Sequence, residues 1–183
     1  MSTVKALQRV AGQNESELVQ TDLLKMDTQE LYFDQPLPGH VEELIRLAAE
    51  SYGEPEAETL LQTAYKEQPE HPVVHVALYR YYYYQHRLNE ALEVADETIA
   101  VSGRELGYDG DWRDVSLQAL KASGSNMARV RYYLMALKGA GFICLRTGRW
   151  DEGHQRLRKV LDLDAGDRLG VRGILQVVDR WDT

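Results

Sequence analysis

The chain has 183 residues, enough for one compact domain or a short repeat array with a buried core. Lys and Arg number 21 against 29 Asp and Glu, and the net charge of −8 argues against non-specific binding to nucleic-acid phosphates, which needs a basic footprint. Cys144 is the one cysteine, which excludes an intrachain disulfide and a multi-cysteine zinc site and points to a reducing, cytoplasmic setting.

In chain order, residues 1–36 show helical apolar spacing, with Leu18, Leu23, Leu24, Leu31 and Phe33 available for packing, and read as an N-terminal helical extension. The start of the chain lacks the continuous apolar core of a signal peptide, and no apolar run approaches the length that spans a bilayer. "DQPLPGH" breaks the pattern. A helical unit follows over 38–71 and a second over 72–105, where Pro72 suits a first helical position. Residues 106–133 read as an insertion, with a turn at "GYDGD", a short helix from Trp112 to Lys121, a turn at "SGS", and Asn126 capping a helix that runs through Arg146. A third unit covers 134–167. Residues 168–181 form one amphipathic helix with Leu169, Ile174 and Val178 inward.

The units repeat. A shift of 34 residues lays Leu44 on Leu78, Arg46 on Arg80 and Ala57 on Ala91; a shift of 62 lays Tyr79 on Gly141, Ala91 on Gly153 and Ala95 on Leu157. In the third unit, Ala140 and Gly141 permit close helix packing, Gly148 makes the turn, Trp150 follows it, and Leu157, Val160 and Leu161 line the second helix. These units resemble the tetratricopeptide repeat, a helix-turn-helix of the same period. The resemblance implies an all-α solenoid of about three repeats within residues 37–183, closed by the 168–181 helix as a cap. Tyr79 stands where that family prefers Gly or Ala, so rearranged packing is expected around it.

By resemblance, the family is a non-enzymatic interaction scaffold, working as an adaptor, co-chaperone or assembly factor, and its concave face carries the partner. Within "LYRYYYYQ", residues about 100° apart cannot share an environment. The resemblance places Tyr79 and Tyr82 inward, Tyr83 with Arg80 on the concave face, Tyr84 at its edge, and Tyr81 toward the convex side or the insertion. Followed through the units, that face gathers Arg46, Arg80, Lys138, Arg146, Arg172 and Arg180 around Tyr83 and Phe142. Such a surface suits an acidic or amphipathic segment of a protein partner. The alternative is that the rings are padding and that Arg46 pairs with Glu42 and Glu50 on its own helix.

Little in the chain calls for catalysis or a cofactor. His71 and His75 have the spacing of a helical metal pair, but Pro72 falls between them and no third ligand is placed. "DGDWRD" lacks the closing glutamate of a calcium loop, and "GAGF" follows no strand. The lone thiol, in "GAGFICLRTG", reads as a core residue. Two narrower readings remain: a bacterial secretion-type repeat chaperone, which would add a homodimer, and an accessory subunit of an enzyme complex that docks through the insertion with Trp112 as an exposed anchor.

Overall fold

A computed structural model describes residues 36–121 and 127–180. All regular structure in them is helical: α1 Gly39–Glu50, α2 Pro55–Glu67, α3 Pro72–Tyr84, α4 Leu88–Glu105, α5 Leu117–Lys121, α6 Met127–Arg146, α7 Trp150–Leu163 and α8 Val171–Asp179. The all-α expectation holds for these residues. The expected helix of the N-terminal extension and the capping role of Asn126 lie outside them.

Pro55 and Pro72 open α2 and α3, where a missing N–H leaves no intrahelical bond unmade. Two of the turns are built alike. After α3, the His86 N–H donates to the Tyr83 carbonyl at 3.0 Å and the Arg87 N–H to that of Tyr82 at 2.9 Å. After α6, Gly148 donates to Leu145 at 3.3 Å and Arg149 to Cys144 at 2.8 Å. Each is a Schellman-type helix end whose pivot residue takes the left-handed conformation, with φ 57° at His86 and 81° at Gly148.

Each helix of a hairpin packs on its partner, α1 on α2, α3 on α4 and α6 on α7. Successive hairpins also touch, α2 on α3 and α4 on α6, and α8 closes on α7. Small residues set the approach. Ala57, Ala91 and Gly153, which the sequence shifts superpose, are all buried near the start of a second helix. A β-carbon on Gly153 would stand 2.8 Å from Leu145 Cδ2 and 2.9 Å from the Gly141 carbonyl oxygen. Around Tyr79 the packing is rearranged: the ring is fully buried, and the small residue it needs is Gly139 on α6, where a β-carbon would lie 2.7 Å from the phenol oxygen.

The helix expected over Trp112–Lys121 is shorter than that. The Asp111 carboxylate accepts from the Arg113 N–H at 2.8 Å and holds a turn there, while Ser116 Oγ accepts from the Ala119 N–H at 3.1 Å and caps a helix beginning at Leu117. At the other end, Asp167 Oδ1 accepts from the Val171 N–H at 2.7 Å, so the last helix begins at Val171 rather than near 168.

A left-handed histidine is more strained than a left-handed glycine, although glycine gives up more chain entropy on folding. His86→Gly is therefore expected to raise stability by about 0.5–1 kcal/mol and Gly148→His to lower it by at least as much. Urea denaturation of both variants measures this, and a less stable His86→Gly protein contradicts it.

Candidate binding cleft

The tyrosine run divides as a helix requires. Tyr79, Tyr81, Tyr82 and Tyr83 are buried, whereas Tyr84 is 54 % exposed. Tyr82 meets α2: its hydroxyl accepts from Gln62 Nε2 at 2.6 Å, and the Arg87 guanidinium lies 4.6 Å above its ring while bridging Glu58 and Glu90. Tyr83 stacks on Tyr79, with ring centroids 6.0 Å apart, and its hydroxyl accepts from Arg146 Nη1 at 3.0 Å. Tyr81 departs from the expectation. It faces α1 rather than the insertion, with its ring edge-on to Tyr52 at 6.1 Å.

This side of α3 and the second half of α1 enclose an apolar cleft of about 330 Å³. Ile45, Ala48, Ala49 and Tyr52 form one wall, and Val76, Ala77, Tyr81 and Tyr84 the other, with Arg80 among them and Leu61 and Val73 beneath. Tyr52 is 50 % exposed, so two large rings stand at the mouth. Nearly all of the lining is carbon, which favours an apolar side chain over an ion.

The remaining residues of the expected basic groove are placed differently. Arg46 is exposed, but its guanidinium is engaged by Glu43 at 2.6 Å and by Glu50; the pairing on its own helix is real, with Glu43 in place of Glu42. Lys138 is buried, and Nζ donates to the Leu169 carbonyl at 2.7 Å, so it ties α6 to the segment before α8 and is absent from the surface. Phe142 is half-buried on α6, one turn from Arg146. Arg172 is exposed and 3.8 Å from Asp167, and Arg180 is exposed at the end of α8. Arg80 lines the cleft, whereas Arg146 meets Tyr83, which does not line it.

Trp112, expected as an exposed anchor, is buried. Its ring lies between the guanidinium groups of Arg113 at 4.3 Å and Arg156 at 5.0 Å. Arg156 is itself buried and bridges Asp96 on α4 at 2.5 Å and Glu152 on α7 at 2.6 Å. A buried guanidinium is tolerable only when so satisfied. The sequence reading did not single out Arg156, although Glu152 four residues earlier is its helical signature. Tyr52 was missed too; its one signal is an aromatic beside the turn glycine Gly53.

A second, polar cleft of about 500 Å³ lies between Glu70, His71, Glu97, Arg104, Glu105 and Arg129. Its charges are largely matched within it, Arg104 to Glu70 at 3.0 Å and Arg129 to Glu105 at 3.7 Å. His71 and His75 serve the fold: His71 Nδ1 accepts from the Val73 N–H at 3.3 Å and caps α3, and His75 Nε2 is 2.6 Å from the Pro69 carbonyl. Among the described residues no group of three His, Cys, Asp or Glu side chains is placed to hold a metal ion. Burial pushes the Cys144 thiol up to about 11, as suits a core residue. No described helix is long and apolar enough to cross a membrane.

Burial holds His75 below its ordinary value, outweighing the Pro69 carbonyl and the charges of Glu97 and Glu70. The unfolded chain then takes up this proton before the folded one does, so the contribution is intact above pH about 6.5 and is lost as pH falls below it. Melting temperature should drop between pH 7.5 and 5.5 and drop less in His75→Gln, read by circular dichroism at both pH values. Equal slopes for the two proteins would contradict the assignment.

No family model matches the chain, and no solved structure does. It is 40 % identical over 158 residues to an uncharacterized 19.8 kDa protein in the nifW 5′ region of Azotobacter chroococcum mcd 1, a match spanning 86 % of this chain and 88 % of the relative. At that identity and coverage, the two chains belong to one family.

Proposed function

We propose that the protein is a non-enzymatic interaction module of tetratricopeptide-like architecture, an adaptor or assembly factor that grips an amphipathic segment of a protein partner in the α1–α3 cleft. The observation that carries this reading is the cleft itself: an apolar floor with Tyr52 and Tyr84 exposed at its mouth and Arg80 on its wall. Large apolar surface left open to water marks a contact site more often than it serves the fold. The architecture is supported by three hairpins packed in sequence order, with small residues superposed by the repeat shifts at each crossing.

The chemistry of the partner segment follows from what the cleft offers. Lys138 is buried and Arg46 is matched by two carboxylates on its own helix, and the charged side chain in the cleft lining is Arg80. Affinity comes chiefly from one or two apolar or aromatic anchors. The relative's name places it in the region 5′ of nifW, so products encoded beside it are the first partners to test.

Filling the cleft should abolish binding. In affinity capture, Ala77→Trp is expected to reduce partner recovery by about tenfold or more, whereas Arg46→Glu, whose charge is matched on its own helix, changes it little. The reading fails if Ala77→Trp, with its helical circular dichroism unchanged, captures the partner as the wild type does.

A further inference from the structure

We infer that the partner segment taken up by the α1–α3 cleft is basic, an apolar or aromatic anchor flanked by Lys or Arg. This rests on the reading of the cleft as the docking face and adds the sign of the charge that the face receives. The cleft is a carbon-lined recess in an acidic surface. Residues 39–84, which supply its whole lining, carry eight glutamates against Arg46, Lys66 and Arg80. Ion pairing does not cancel this excess. Arg46 is shared between Glu43 and Glu50, and Arg87 between Glu58 and Glu90, so each group of three keeps a net negative charge. The carboxylates also stand where an occupant would meet them. Glu42 lies three and seven residues before Ile45 and Ala49 of the cleft wall, on the same side of α1, and Glu50 and Glu54 bracket Tyr52 at the other end. All three of these glutamates are exposed.

The rings at the mouth act in the same direction. The face of a tyrosine attracts an ammonium or guanidinium group, and Tyr52 and Tyr84 are both half-exposed there. Neighbouring rings of α3 already hold such groups, Tyr82 the guanidinium of Arg87 at 4.6 Å and Tyr83 that of Arg146 at 5.4 Å. Apolar walls strengthen the field of the carboxylates around them, which speeds the arrival of a basic segment and penalises an acidic one. The same field disfavours a second copy of the chain. Pairing this face with itself would oppose two α1–α2 hairpins, each with seven glutamates against Arg46 and Lys66.

The test uses the full chain to select from a displayed library of random short peptides, discarding those that Ala77→Trp also retains. The remaining sequences should join an aromatic or large aliphatic residue to a net positive charge. In fluorescence anisotropy at low ionic strength, a selected peptide should bind Glu42→Gln/Glu50→Gln/Glu54→Gln about fivefold more weakly than wild type, and wild type should weaken at least as much when salt is raised. Selected peptides of neutral or negative net charge overturn the inference, as does an affinity that neither salt nor the triple substitution weakens; both outcomes leave the docking face in place. If Ala77→Trp retains every selected peptide, the docking face itself is lost and the inference with it. A dimer that dissociates in Ala77→Trp, read by sedimentation, would put a second copy in the cleft and also overturn it. The salt dependence is read on the native chain, so it decides even where the triple variant loses its helical circular dichroism.

Discussion

Tyr79 and Gly139 meet where no β-carbon could stand, and the setting of the α3 tyrosines follows from that contact. A fully buried phenol at this point of α3 fixes the rotation of the helix about its own axis. Four residues on, Tyr83 must then stack on Tyr79, and its hydroxyl lies within reach of Arg146. One step further round, Tyr84 is turned outward, and Tyr81, on the same wall of the cleft, is turned toward Tyr52. The four neighbouring tyrosines thus have four different tasks, and the cleft exists because Arg80, Tyr81 and Tyr84 fall on the side that Tyr79 does not need.

Charge is arranged by the same logic of burial. The two most buried cations among the described residues, Lys138 and Arg156, are each engaged, one by a backbone carbonyl and one by two carboxylates. Leaving either buried without such partners would destabilise the fold by several kcal/mol, so their positions are dictated by the groups that meet them. Arg156 also fixes the insertion, because Trp112 lies against its guanidinium and between it and Arg113. The insertion is therefore fastened to α4 and α7, with its tryptophan inside. The α1–α3 cleft is carbon surface with Arg80 among it, which favours the amphipathic of the two expected partner segments, acidic or amphipathic.

Helical class, the outer bounds of the α3–α4 unit and the run of α6 to Arg146 were legible in the sequence, because each follows from local periodicity or from a proline at a helix start, and the inward settings of Tyr79 and Tyr82 were what the repeat resemblance implied. The site was less so. Lys138 has the spacing of a surface residue, and only the arrival of the Leu169 carbonyl from 31 residues away makes its burial possible. Trp112 reads as exposed in a polar loop until Arg156, on another helix, supplies the face it lies on. Ile45, Ala49 and Ala77 gave no signal, since a cleft is made by the gap between two helices and gaps are not written in either one. The shortened α5 was a local matter that could have been read: Ser116 three residues before Ala119 is an ordinary helix cap.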